Sequence, residues 1–356
     1  MTDRGRYRLG LLVLAAFFLC LHTSAGRAAQ IDAAQIDASR VEQAVKKSLP
    51  LLQSSPPVFF KTAGCVSCHH QSLPAMVVGF ARGRGFEVDE QKARELNETV
   101  ATMMRAGREE LLQAITDGAA HHSVAYTLAG MAAQGLPADA VTDAMAIYLA
   151  EGQQDAGYWS TAPDRPPVQY SDYTTTALSI WGMRAYTPDG WNDEFEMRIR
   201  RARNWLLEAK PTPAMEEMAF RLLGLGWAGA ASPEVNGAIR DLFAAQREDG
   251  GWAQLPTLES DAYATGQALA ALHLGGGMPI SHSMYQRGVA FLLKTQHEDG
   301  SWLVKSRARP FQPYFESGFP HGVNQWISIC ATSWAAIALM LTREPLAPGK
   351  ETETLE

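Results

Sequence analysis

The residues best suited to chemistry lie at Cys65-Val66-Ser67-Cys68-His69. Two thiols separated by two residues can each bond to a vinyl group of one haem, and the adjacent histidine can reach the iron as an axial ligand. The same five residues also suit a Cys65–Cys68 disulfide, or a zinc or other metal site that uses the imidazole. Cytochromes fill the second axial position with methionine or histidine. Met76, His70, His121, His122 and His321 are the candidates here. Adjacent imidazoles occur twice, at 69–70 and 121–122, which packing alone explains poorly. A metal, haem or substrate role is expected for at least one of His121 and His122. Asp172 and Asp261 each follow a serine and open a helical pattern. Helix capping explains such residues, and a catalytic acid is the rival reading. His321 stands between Pro320 and Gly322 in an aromatic, unperiodic stretch over 315–326. It reads as a surface histidine, a distal ligand or a general base.

Haem attachment to such a motif takes place outside the cytoplasm, so a secretory signal is a required companion. Arg4, Arg6 and Arg8 precede an almost wholly apolar run, Leu9 to Leu21, and then small residues. Residues 1–29 therefore read as a cleaved signal peptide. The apolar run is short of the ~20 residues a membrane span needs. Residues 30–39 read as a linker and 343–356 as a flexible acidic tail. The expected location is the bacterial periplasm or the exterior, with no stable membrane span. The 356 residues are 46% hydrophobic and 19% charged, which excludes a disordered chain. The formal charge of −7 falls to about −10 without the leader. That charge argues against nucleic acid as a partner. Four cysteines are too few for a disulfide-built scaffold.

The elements that must position these residues come from a repeat. Three amphipathic stretches end in glutamine, acidic residues, glycine and tryptophan. They are Gln154-Asp155-Ala156-Gly157-Tyr158-Trp159, Gln246 to Trp252, and Gln296 to Trp302. Glycine just past the last periodic residue is the expected helix stop. Each turn leads to a helix rich in alanine, threonine and leucine. Anchors for these second helices fall at 70, 122, 172, 217, 261 and 330, about 45–50 apart except for the last, longer interval. Small residues suit a close-packed inner ring, and amphipathic partners such as 194–207 and 233–245 suit an outer one. The fold class is all-α, a single α/α toroid of about six helix pairs filling 40–342.

The Gln-x-x-Asp-Gly-x-Trp element, with Arg287-Gly288-Val289-Ala290-Phe291-Leu292-Leu293 before it, resembles the QW repeat of the squalene cyclase and prenyltransferase β-subunit superfamily. The resemblance covers 110–342 well and 40–110 more loosely. It implies the α/α toroid, a central cavity open at the inner-helix ends, and structural roles for Gln154, Trp159, Gln246, Trp252, Gln296 and Trp302. Class II terpene cyclases carry Asp-x-Asp-Asp where this chain reads Glu259-Ser260-Asp261-Ala262. Asp261 keeps the acid position, but the last aspartate is gone. Prenyltransferases hold zinc with Asp, Cys and His, and Tyr263 stands where the cysteine would be. The start Cys65 to Pro74 and the end Ser317-Gly318-Phe319-Pro320-His321-Gly322 look like a bacterial group of squalene-cyclase-like proteins with a cytochrome c-type motif. That group implies no particular reaction.

The leading expectation is a secreted haem c toroid doing redox chemistry on, or binding, a small apolar or isoprenoid-type molecule, with a redox partner as the other candidate. In it Cys65, Cys68 and His69 hold the haem, and Asp172, Asp261 and His321 face the ligand. The alternatives are a non-haem binding module with a disulfide or structural metal, and a cyclase- or transferase-like enzyme acting through Asp261.

Overall fold

The computed structural model describes residues 36–115, 120–162, 165–310 and 312–346. The expected signal peptide, residues 30–35 of the linker and residues 347–356 of the tail lie outside the described residues.

Thirteen helices make up the described chain: α1 (Ala38–Ala63), α2 (Leu73–Arg82), α3 (Glu90–Ala106), α4 (Arg108–Leu112), α5 (Ala120–Ala133), α6 (Ala140–Glu151), α7 (Asp172–Ala185), α8 (Asn192–Glu208), α9 (Met215–Trp227), α10 (Ser232–Ala245), α11 (Ala262–Ala270), α12 (Ser283–Thr295) and α13 (Gln325–Met340). A π-helical turn, Cys68–Ser72, leads into α2, and another, Ala271–Gly275, prolongs α11. No strand is present among the described residues. Helices α2, α5, α7, α9, α11 and α13 each pack on the next, and α13 packs back on α2. The fold is thus a closed α/α toroid with six inner helices, and the remaining long helices pack outside them. The first and last described segments are tied down. Asp37 caps α1 by accepting from Ser39 N and Arg40 N, and Leu346 N donates to Gly83 O at 2.8 Å.

The inner helices are apolar on nearly every face, and small residues let their backbones meet. A Cβ on Gly266 of α11 would fall 2.5 Å from the Trp334 carbonyl carbon of α13. Helix α13 is so apolar that Gly322–Met340 matches a membrane span in length and composition. Yet 83% of that stretch is buried inside the protein, so its hydropathy is that of a core helix.

Each tryptophan turn joins one outer helix to the next. Trp252 Nε1 donates to Leu242 O at 2.8 Å, and Trp302 Nε1 to Leu292 O at 2.9 Å. Trp159 Nε1 reaches Leu149 O in the same way. Gln246 Nε2 donates to Met284 O at 2.8 Å at the start of α12. In the first turn this bond comes from Gln153, which reaches Arg198 O at 2.9 Å. Gln154 is exposed, so the structural glutamine there is one residue earlier than expected. The third turn closes the ring: Gln296 Nε2 donates to Ala44 O (2.9 Å) and Ser48 Oγ (3.1 Å) of α1. The turn glycines lie against the neighbouring helix at positive φ. A Cβ at Gly157, Gly250 or Gly300 would come within 2.5–2.6 Å of backbone at Arg201, Arg287 or Lys47. Replacing Gln296 with alanine should therefore lower stability by about 1–3 kcal/mol through lost bonds to buried carbonyls. Denaturant midpoints will check this, with exposed Gln154→Ala expected to move little.

Candidate functional site

The inner helices begin with a recurring pair of positions. Thr176, Thr265 and Thr332 each accept the backbone N–H of a turn tryptophan, at 3.0, 2.9 and 3.1 Å. Four residues before each lie Asp172, Asp261 and Ser328. All three bind the residue two after the tryptophan. Asp172 accepts from Thr161 N (2.8 Å), Asp261 from Gln254 Nε2 (2.9 Å), and Ser328 from Val304 N (3.1 Å). The last repeat's anchor is thus Ser328 rather than Cys330. Asp261 also caps α11, accepting from Ala264 N at 2.9 Å, while Ser171 rather than Asp172 caps α7. Burial raises both carboxyls, Asp261 to about 6. The contacts of both acids fasten loops to the starts of inner helices.

Two residues further on, the side chains turn to the middle of the ring. Glu216, buried in the first turn of α9, accepts from Thr174 Oγ1 (2.8 Å), Tyr263 OH (2.6 Å) and Gln267 Nε2 (2.7 Å). Burial pushes its carboxyl up to about 7 against the pull of these donors. Its charge also acts on Cys68 in the turn before α2, Tyr126 of α5 and Cys330 of α13. The Tyr126 hydroxyl is buried with no hydrogen-bond partner. The ring centre is therefore a packed polar cluster, where the resemblance implies an open cavity.

A cavity of about 310 Å³ lies between Cys68, α3, α4 and α5. Met103, Met104, Leu111, Ile115 and Val124 give it apolar wall, with Ser67, Cys68, Glu110, Ser123 and Thr127 as polar points. Neither Asp172, Asp261 nor His321 lines it.

The motif itself sits on a tight turn. Gly64 takes a left-handed conformation (φ 66°) and ends α1. Ser67 then caps the π turn, its Oγ accepting from His70 N at 3.0 Å. Cys65 is exposed and Cys68 partly buried, and both are free thiols. Burial pushes the Cys68 thiol up to about 11, with the charge of Arg165 opposing it. His69 and His70 pack on Phe59 and Trp326, and Phe315 packs on both of those rings to complete the cage. Phe59 stacks on His70 at 4.6 Å and meets His69 edge-on at 5.1 Å. Trp326 lies 5.8 and 5.4 Å from the two imidazoles.

Hydrogen bonding fixes which nitrogen of His69 carries the proton. Gln71 Nε2 donates to Pro56 O at 3.1 Å, which aims Gln71 Oε1 at Ser67. The single Ser67 hydroxyl hydrogen goes to that oxygen at 2.8 Å. Ser67 Oγ, 3.2 Å from His69 Nδ1, can then only accept, so His69 Nδ1 is the donor. The same N–H faces His70 Nδ1 at 2.5 Å. Among the described residues His69 Nε2 makes no hydrogen bond. Burial holds this imidazole neutral, its pKa lowered to about 3, with Arg165 adding to the effect.

The other candidates lie elsewhere. Met76 is 1% exposed in the core of α2. His121 stacks on Tyr148 at 4.6 Å on the α6 side, while His122 Nδ1 bonds Thr175 Oγ1 at 2.9 Å on the α7 side. The second pair thus splits between two helices. His321, at φ 85°, bonds Ser301 Oγ at 2.7 Å and packs on His297 in the third tryptophan turn. No group of three or more His, Cys, Asp or Glu side chains gathers as a metal set among the described residues.

No protein-family model and no curated protein matches the sequence. Solved structures do share the fold. The type II terpene cyclase MstE from Scytonema in its apo form matches with a TM-score of 0.53 at 13% identity, covering 85% of this chain and 98% of that one. A point variant of the same enzyme holding its substrate geranylgeranyl dihydroxybenzoate gives a TM-score of 0.52 at 12% identity, covering 86% and 97%. A protein from Actinoplanes gives 0.54 at 15% identity, covering 86% and 99%. At these identities the likeness is one of fold.

Proposed function

We propose that the protein is a secreted or periplasmic toroid that carries a covalent haem c on Cys65 and Cys68. His69 would be an axial ligand, and a small apolar molecule would sit in the adjoining cavity. The observation that carries the reading is the state of the motif. Two free thiols flank a short turn, and the histidine after them is neutral with a bare Nε2 and a donating Nδ1. That is the form in which imidazole binds a metal, with its other nitrogen held by outer hydrogen bonds. In this respect the residues present fit the group. The charge of Arg165 acts on Cys65, Cys68 and His69 alike, which suits a ligand that bears carboxylates.

Bound there, the haem would supply one-electron redox chemistry. The chain's own residues do the holding. Ser67 and Gln71 set the His69 plane, Phe59 and Trp326 pack on both imidazoles with His70 fully buried, and the cavity that Met103 and Met104 line takes apolar surface. The ligands named for structures of this fold, geranylgeranyl dihydroxybenzoate among them, make an isoprenoid-type molecule the first to try. An acid-catalysed cyclisation through Asp261 has less support. Both its carboxylate oxygens already accept hydrogen bonds, and it does not line the cavity beside Cys68.

The test is expression of the whole chain with a c-type maturation system. A Soret and α band that survive acid extraction of non-covalent haem are expected. The double variant Cys65→Ser/Cys68→Ser should lose them entirely. A pure, folded wild-type chain without covalent haem, or with zinc or a Cys65–Cys68 disulfide instead, sinks the proposal.

A further inference from the structure

We infer that His70 is a positioning residue for His69: its Nδ1 accepts the His69 Nδ1 proton, locking the ring's plane and tautomer and strengthening its Nε2 as a donor. The inference rests on the haem reading above and adds a residue the Cys-x-x-Cys-His pattern does not contain.

The two Nδ1 atoms stand 2.5 Å apart, so one ring must donate and the other accept. The direction follows from Ser67, whose only hydroxyl hydrogen is committed to Gln71 Oε1. With His69 Nδ1 the donor, His70 Nδ1 is the acceptor and the His70 proton lies on Nε2. That atom is buried and has no partner. An unpaired buried N–H is unfavourable, so the arrangement is not what packing alone would choose. What it achieves is a fixed acceptor. His70 is fully buried, stacked on Phe59 at an interplanar angle of 18° and edge-on to Trp326 at 5.4 Å, so its ring cannot swing away. Both histidines of the π turn over Cys68–Ser72 pack on Phe59 and Trp326, which keeps the two rings side by side. An outer partner that accepts from a ligand imidazole raises that ligand's basicity. A more basic axial ligand favours the oxidised iron.

Replacing His70 with leucine removes the acceptor. With haem attached, the reduction equilibrium should shift about tenfold toward the reduced form, ~59 mV upward for a one-electron couple. His70→Gln, whose carbonyl oxygen can accept, should restore most of the shift. Proton NMR of the reduced wild-type holoprotein should show the His69 Nδ1–H as a resonance that exchanges slowly with D₂O. This last measurement decides the matter should the leucine variant fail to fold. Covalent haem with an unmoved potential in His70→Leu, or a His69 Nδ1–H that exchanges within the dead time, overturns the role of His70 and leaves the haem reading standing. A wild-type chain without haem overturns both.

Discussion

Replacing Glu216 with alanine should cost the fold about 3–6 kcal/mol. The substitution strands three donors, Thr174 Oγ1, Tyr263 OH and Gln267 Nε2, in a centre that water does not reach. Each stranded donor costs about 1–3 kcal/mol, and the missing side chain leaves a void besides. Glu216→Gln should cost far less. Gln267 Oε1 is buried without a partner, so that amide can flip and accept from the new one. The same carboxyl sets a pH dependence. Its folded value, raised by burial to about 7, exceeds the ordinary 4.5. Between those values the folded state binds the extra proton, so stability falls as pH rises through the window and levels off above it. The loss attributable to this group is about 3 kcal/mol between pH 4 and pH 8. Denaturant midpoints across that range will show it. A wild-type slope equal to that of Glu216→Gln would refute the assignment.

Trp302→Ala should be nearly as damaging, at about 3–5 kcal/mol. The indole is 1% exposed, its Nε1 is bonded to Leu292 O and its backbone N–H to Thr332. It stands in the turn that closes the ring. A fall of roughly 10 °C in the helical melting transition is expected for a chain of this size. Trp302→Phe should recover most of the packing but not the Nε1 bond. A melting point unmoved in Trp302→Ala would show that the turn does not hold the closure.

The fold was legible because its signal is periodic and local. Glycine and tryptophan recur at the turns, small residues recur on the inner helices, and the outer stretches 194–207 and 233–245 fall inside α8 and α10. Spacing also held the answer where the register slipped. Gln246 and Gln296 stand six residues before their tryptophans, as Gln153 does and Gln154 does not. The final anchor was hidden by the insertion. Only the bonds to Val304 and Trp302 reveal Ser328 and Thr332 as the partners of the Asp–Thr pairs in the other repeats.

The centre of the ring was not legible. Glu216-Glu217 reads as two charges in a first helical turn, favourable to the helix dipole. Consecutive residues point about 100° apart. Glu217 accordingly takes Thr212 N in the loop at 2.6 Å, and Glu216 turns inward. Nothing local in the sequence says which one meets Tyr263, because the acceptor and its donors come from different repeats. The same holds for His70. Its neighbour is visible in the motif, but the cage that immobilises it is built by Phe59, Phe315 and Trp326 from opposite ends of the chain.

The bond from Gln296 to Ala44 and Ser48 spans about 250 residues. Every other seam in the ring joins neighbours in sequence, so contact order is low everywhere but here. Loop-closure entropy makes such a contact the slow one. Helix pairs can dock in order as they are made, while α1 and α2 wait with one flank bare for α12 and α13. The motif turn lies on that flank. Phe315 and Trp326 arrive last, so during folding His69 and His70 stay open to outside chemistry until the last helix covers them, and Cys65 stays exposed even then.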